Sequence, residues 1–324
     1  MSLPVSAQRF LAAQAERVRQ IPKLKKIVFP EGKDSRVIAA AERLRAEGLV
    51  EPILVSEGCR PVEKYAAYLH ERRRAKGMNH AEANALAAKP LYMASMMVAL
   101  GEADGFVGGA SNSTADTVRA ALHCIGTQPK VKTVSTFMVL CVREDSHGSN
   151  GLLIIADPAM VIKPTAVQLA EIAIATAANA RTMLGVEPAV AMLSFSTKGS
   201  GGKHEEPLRV IEAHRIVQAR APELHVDAEL QADAALVPAV GASKAPGSTV
   251  AGKANTLIFP DLNSANIGYK LVERLGGAAA YGPFLQGLLK PANDLSRGCS
   301  PEDIYAVALV TALQAEDAER QRLS

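Results

Sequence analysis

Lys26-Ile-Val-Phe-Pro30, the stretch from Asp34 to Glu47 closed by Gly48, and Pro52-Ile-Leu-Val55 decide the fold class. The first and last runs are short, apolar and bounded by turn formers, which is how buried strands read. Between them the apolar residues recur at helical spacing, ahead of a glycine suited to end a helix. Strand, helix and strand at these lengths make a βαβ unit.

Outward from that unit the alternation continues. Helical stretches fill 63–100, Gly105-Phe-Val107 is a strand, 115–125 a helix and 134–142 a strand. The polar run Arg143-Glu-Asp-Ser-His-Gly-Ser-Asn-Gly151 then separates two apolar strands, either as a hairpin turn or as a domain boundary. A second series follows: strand 152–156, helix 164–184, strand 189–195, helix 205–220 and strand 256–259, with a last helix from Pro301 to about Glu319. This order predicts an α/β protein of two three-layer α/β/α domains with mainly parallel sheets.

Composition narrows the function. At 324 residues and 48% hydrophobic, the chain exceeds what one compact core normally holds, so two domains are expected. The sequence contains no eighteen-residue apolar run, and charged residues interrupt the first 24 positions, against both a membrane span and a signal peptide. A cytoplasmic location is expected. Cys59, Cys124, Cys141 and Cys299 are scattered without C-x-x-C spacing, and the seven histidines form no H-E-x-x-H, so no metal site is predicted. A net charge of +3 with 4% aromatic residues and no Trp offers few stacking platforms for nucleic acid. It does suit a polyanionic small molecule if arginines converge in one cleft.

Several segments carry candidate chemistry. Gly247-Ser-Thr-Val-Ala-Gly-Lys253-Ala254 approaches a P-loop, but Ala254 lacks the hydroxyl that binds Mg²⁺ and a strand follows where a helix should open. No G-x-G-x-x-G occurs, so a dinucleotide cofactor also loses support. Two flexible loops, 198–202 and 243–249, are candidates for ligand contact. In Asn293-Asp-Leu-Ser296-Arg297-Gly298-Cys-Ser300-Pro301-Glu-Asp303, Ser300, Pro301 and Asp303 fit the N-cap, N1 and N3 positions of a capped helix. Ser296 and Arg297 stand in the loop feeding that helix start, where backbone N–H groups and a guanidinium hold phosphate. Arg72-Arg-Arg-Ala-Lys76 reads either as a solvated helix end or as a phosphate contact. Gly108-Gly-Ala-Ser-Asn-Ser113-Thr114-Ala-Asp116-Thr-Val-Arg119 has the form of a ligand-facing βα loop, with Asp116 capping and Arg119 on the surface as the plain reading.

Taken together these segments resemble the phosphate acetyl- and butyryltransferase family, and phosphate acetyltransferases in particular. Further carriers are Val28-Phe-Pro-Glu-Gly32, Ala191-Met-Leu-Ser-Phe-Ser-Thr-Lys-Gly-Ser200, Glu229-Leu-Gln-Ala-Asp-Ala-Ala-Leu236, Ile258-Phe-Pro-Asp-Leu-Asn263 and Gly282-Pro-Phe-Leu-Gln-Gly287. The resemblance implies a discontinuous first domain of 1–146 plus 289–324, a second of 147–288, an active-site cleft between them and a homodimer. It implies no permanently bound cofactor or metal, with coenzyme A as a substrate alongside acetyl-CoA, acetyl phosphate and phosphate. Its reaction is direct attack of the coenzyme A thiol on an acyl phosphate in a ternary complex. Asp303 would then take the thiol proton, Arg297 bind the phosphoryl group and Ser296 bond the developing oxyanion or phosphate, with Arg119 and Arg73 holding substrate and coenzyme. Ser113, Thr114 and Lys253 join them as candidate substrate- and coenzyme-binding residues. Where the family reads Ala-Asp-Cys-Ala-Val-Asn-Pro, this chain has Ala156-Asp-Pro-Ala-Met-Val-Ile162, which leaves propionyl or butyryl transfer open as alternatives. A non-catalytic acyl-CoA-binding regulatory module is the other reading the resemblance permits.

Overall fold

The computed structural model describes residues 3–58, 62–129 and 131–323. Its first elements are α1 (Val5–Arg19), β1 (Lys25–Phe29), α2 (Ser35–Ala46), β2 (Val50–Leu54), α3 (Glu63–Arg73), a 3₁₀ turn (Arg74–Lys76), α4 (His80–Ala87), α5 (Pro90–Ala99), β3 (Gly105–Gly108) and α6 (Thr114–Cys124). Next come β4 (Ser135–Cys141), β5 (Leu152–Ala156), α7 (Ala166–Leu184), β6 (Val190–Leu193), α8 (Glu205–Arg220) and β7 (Val226–Leu230). The chain ends with α9 (Ala232–Leu236), α10 (Pro238–Lys244), β8 (Thr256–Ile258), α11 (Leu262–Gly276), β9 (Ala279–Gln286), β10 (Ala292–Asp294) and α12 (Pro301–Leu323).

These elements form two compact units, Ala12–Lys130 with Gly282–Ser324, and Met1–Leu11 with Val131–Tyr281. The expected bounds, 1–146 with 289–324 and 147–288, differ from these for a definite reason. β4 pairs antiparallel with β5, Phe137 opposite Ala156 and Cys141 opposite Leu152, so 143–151 is a hairpin connection inside one sheet. Arg9 anchors it, donating to Asp145 at 2.6 Å and to the Asn150 carbonyl at 3.0 Å, while Ser6 Oγ donates to the Val142 carbonyl at 2.6 Å. Those bonds place the first residues of the chain with this hairpin.

The first unit is built on a parallel sheet in the order β10-β3-β1-β2. β1 is almost wholly buried, as a strand covered on both faces must be. In α2 the Asp34 carboxylate accepts the Arg36 N–H, and Val37, Ala40, Ala41 and Leu44 make the buried stripe at helical spacing. α2 packs with α12 and α5 with α6, and both pairs pack on the sheet. The helical stretches expected over 63–100 are α3, α4 and α5: Gly77 turns left-handed after the 3₁₀ turn, and Asn79 and Pro90 start new helices.

The second unit holds the order β7-β6-β8-β5-β4-β9, in which β7, β6, β8 and β5 run parallel. α7 and α8 pack together, α7 on β5 and β8, α8 on β6 and β7. Its core joins Met138, Leu140, Leu153, Ile155, Leu193, Leu230 and Leu257. Cys124, Cys141 and Cys299 are buried free thiols, and Cys59 lies outside the described residues.

Candidate active site

All four strands of the first unit are parallel, so their carboxyl ends lie on one edge, and the chain order reverses between β1 and β3. A sheet of this kind opens a crevice at that switch point. A cavity of about 800 Å³ occupies it, lined by Glu31, Gly32, Lys33 and Asp34 after β1, Ser56 and Glu57 after β2, and Ser111 and Asn112 after β3. Asp116 and Arg119 of α6, and Lys89, Leu91 and Tyr92 at the start of α5, complete the wall.

Three side chains join the loops at this edge. Arg36 donates from Nε and Nη2 to the Asp34 carboxylate at 3.0 and 2.7 Å, and from Nη2 to the Ala110 carbonyl at 2.9 Å. Its Nη1 reaches the carbonyls of Arg297 and Cys299 at 2.9 and 3.0 Å. Hydrogen bonding to Arg36 holds the Asp34 carboxyl below the usual carboxylate range. Glu31 Oε1 accepts from Gly109 N at 2.8 Å, Ser111 N at 3.3 Å and Asn112 Nδ2 at 2.7 Å. Asp294, at the end of β10, accepts the Thr114 hydroxyl at 2.6 Å and so ties that strand to the first turn of α6. Burial pushes the Asp294 carboxyl up to about 6 against its bonds to Thr114 and Thr117, with Glu31 adding repulsion. Gly109, at φ +111°, passes so close that a side chain there would strike Asp294 and Leu295.

The residues predicted from sequence fall as follows. Ser296 and Arg297 are exposed in the β10–α12 loop, whose backbone Arg36 fastens to the β1 and β3 loops. Asp303 sits at N3 of α12 and takes Ser300 N and Ser300 Oγ, both at 2.8 Å, on the single oxygen Oδ2, while its own N–H returns to Ser300 Oγ at 3.2 Å. The capping box read from sequence is therefore present. Cys299 links these groups: burial pushes its thiol up to about 11, Arg36 opposes, and the charges of Asp303, Asp34 and Glu31 add to the rise. Ser113, not Asp116, is the N-cap of α6, accepting Asp116 N at 3.2 Å and donating to its carboxylate at 2.6 Å. Arg119 lines the cavity and pairs with Asp116 at 2.7 Å. Arg73 ends α3, and its Nε is buried without a hydrogen-bond partner.

Lys253 belongs to the six-stranded unit, on the turn before β8, where its N–H donates to the Val250 carbonyl at 2.9 Å. The two flexible loops of that unit meet at β7: Lys198 Nζ donates to the Ala228 carbonyl at 2.9 Å and pairs with Asp227, and Ser248 donates to Asp227 as well. After β5, the buried Asp157 carboxylate accepts the N–H groups of Ala159, Met160 and Val161 and the Thr136 hydroxyl, which fixes the segment where the sequence departs from the family pattern. Among the described residues no group of three or more His, Cys, Asp or Glu side chains is placed to hold a metal ion.

Sequence reading did not single out Glu31, Arg36, Asp294, Tyr92 or His123. Glu31 bonds Gly109, Arg36 bonds the Arg297 and Cys299 carbonyls, Asp294 bonds Thr114 and Tyr92 meets His123, all partners far away in the chain, where no periodicity points.

The family model described as phosphate acetyl/butaryl transferase matches residues 10–63 and 56–312. The chain is 46% identical to the phosphate acetyltransferase of Acetivibrio thermocellus, over 95% of this chain and 98% of that one. It is 51% identical to that of Treponema pallidum over 78% of this chain and 76% of that one. A crystal structure of a phosphotransacetylase from Streptococcus pyogenes matches with a TM-score of 0.88 and 43% identity, covering 98% of this chain and all of that one. Matches of that extent take in both units and the loops at the carboxyl edge of β1, β3 and β10, and so this chain belongs to the phosphate acetyl/butaryl transferase family.

Proposed function

We propose that the chain is a phosphate acetyltransferase, moving an acetyl group reversibly between coenzyme A and inorganic phosphate. Membership of the family supports the activity, and the convergence of the Ser296–Arg297 loop, Asp303 and the Arg119 side of the cavity at one sheet edge supports the assignment of residues. A free thiol near pKa 8.5 is only a few per cent ionised at neutral pH, so a placed carboxylate speeds attack by about 10²–10⁴. Asp303 takes the thiol proton; its Oδ2 is committed to Ser300, and the second oxygen serves as the base. The sulfur forms its bond to the carbonyl carbon as the carbon–oxygen bond to phosphate breaks, and the proton passes on to the departing phosphate. Ser296 and Arg297 stabilise charge that grows in the transition state. Arg119, Arg73, Ser113, Thr114 and Lys253 bind substrate and coenzyme, with Ser113 and Thr114 acting through the placement of α6.

The test mixes purified protein with acetyl phosphate and coenzyme A and follows thioester ultraviolet absorbance without ATP or added metal. No rise at all refutes the activity. Propionyl and butyryl phosphates in the same assay rank the acyl groups, a comparison called for by the departure from the family pattern at Asp157–Ile162. A protein that binds coenzyme A without turnover would be a regulatory module.

The homodimer belongs to the same proposal. Ile267, Leu271 and Leu275 form a stripe four residues apart on α11, Leu275 being 83% exposed, which suits cover by a second copy. Sedimentation as a monomer refutes it. A cytoplasmic location is proposed from the free thiols of Cys124, Cys141 and Cys299, which suit a reducing compartment; among the described residues no helix is long and apolar enough to cross a membrane.

A further inference from the structure

Tyr92 lines the cavity, is 6% exposed, and places its hydroxyl 3.1 Å from His123 Nδ1. The rings also meet edge to face, with centroids 5.9 Å apart. His123 stands one helical turn after Arg119 on α6. The charges facing His123 come from four elements: Arg73 on α3, Lys76 on the 3₁₀ turn, Arg119 with its partner Asp116 on α6, and Glu82 on α4. Arg119, Arg73 and Asp116 act on Tyr92 as well. Three cations outnumber the two acids Glu82 and Asp116 around this histidine, and the buried Nε–H of Arg73 lacks an acceptor. A buried guanidinium N–H without a partner costs free energy that an anion would recover.

We propose that Tyr92 is a further anion-binding residue of this cavity, and that His123 is the positioning residue that sets which way its hydroxyl points. The inference rests on the reading that the cavity takes phosphate-bearing substrates. When Nδ1 of His123 carries no proton, it accepts the Tyr92 O–H, and the phenol offers only lone pairs to the cavity. When Nδ1 is protonated, it donates to the phenol oxygen and frees the O–H to point at the ligand. An anion in the cavity beside Arg119 favours the second arrangement. Burial, together with Arg73 and Arg119, keeps the His123 imidazole below its ordinary value in the empty site, so binding an anion draws a proton onto it.

The experiment is calorimetric titration with sulfate, which stays a dianion across the range, and with coenzyme A, in buffers of different ionisation heat between pH 5.5 and 7.5. The wild-type protein takes up a fraction of a proton per sulfate, the uptake vanishes in His123→Gln, and Tyr92→Phe weakens sulfate and coenzyme A by about tenfold, the loss of one hydrogen bond to a charged partner. Melting curves confirm that both variants are folded. Tyr92→Phe binding both ligands as tightly as the wild type, or proton uptake that persists in His123→Gln, overturns the inference. Because binding is read without turnover, a protein that forms no thioester yet shows these effects would retain this site and lose the proposed activity.

Discussion

Arg36→Lys is the substitution on which the arrangement of this site turns. The guanidinium has five N–H groups and uses all of them, on the Asp34 carboxylate and the carbonyls of Ala110, Arg297 and Cys299. An ammonium has three donors on one nitrogen, so it leaves at least two of these acceptors unmatched. Hydrogen bonds from a charged donor contribute about 1.5–3 kcal/mol each. The side chain is 30% exposed and water replaces part of the loss, so about 2–3 kcal/mol is expected, or a fall in Tm of roughly 3–5 °C for a chain of 324 residues. Activity should suffer more than stability. The β10–α12 loop carries Ser296 and Arg297 and loses its tie to the β1 and β3 loops, and a misplacement of about 1 Å costs on the order of 10² in rate. Thioester formation and a melting curve on the same preparation test both halves. A lysine variant with wild-type Tm and kcat/KM within twofold would show that Arg36 does not hold the loops, and the account of the site would fall with it.

Arg297→Ala should lower kcat/KM by about 10²–10³, the usual loss of a transition-state donor, with Tm within a few degrees because the side chain is exposed; steady-state kinetics with both substrates checks this, and unchanged kcat/KM refutes the role. Asp303→Asn should slow kcat by about 10²–10⁴ with little change in coenzyme affinity, whereas Ser300→Ala, which removes the cap's hydroxyl, should cost about 1 kcal/mol of stability and leave most of kcat. Equal kinetic losses in the two variants would mean that Asp303 only caps its helix. Asp294→Asn tests the buried carboxyl through pH. Its folded value of about 6 lies above the unfolded value near 3.9, so the folded chain holds a proton the unfolded chain lacks between those limits, and its contribution, complete below the lower limit, is lost as pH rises through the upper. The wild type should therefore lose up to about 3 kcal/mol relative to the variant between pH 4 and 7, seen as a growing Tm difference; a constant difference refutes the linkage.

Local chemistry decided what could be read from sequence. The β1–α2–β2 unit was legible because each element carries its own signal: an apolar run, a helical stripe, a terminal glycine. β10 carries none, being Ala292-Asn-Asp294, yet it is buried. Asn293 makes that possible by accepting Leu285 N at 2.8 Å and donating to Thr311 and Gln314 at 2.8 Å each. β7 hides for a similar reason, since Asp227 is paired with Lys198 and accepts the Ser248 hydroxyl, and Glu229 adopts φ +46° beside the register shift between β6 and β7.

The site divides along the same line. Ser300, Pro301 and Asp303 were legible because a capping box closes within four residues, while Glu31, Arg36 and Asp294 find partners 78, 261 and 180 positions away. The capping and catalytic readings of Asp303 are also compatible on geometric grounds. Ser300 uses only Oδ2, so the cap fixes the carboxylate's orientation and holds its second oxygen ready without consuming it. A base fixed in this way avoids the entropy of an unrestrained side chain. On this argument Ser300→Ala should slow catalysis modestly, by loosening the base, and the slowing should fall on kcat with the affinity for coenzyme A unchanged.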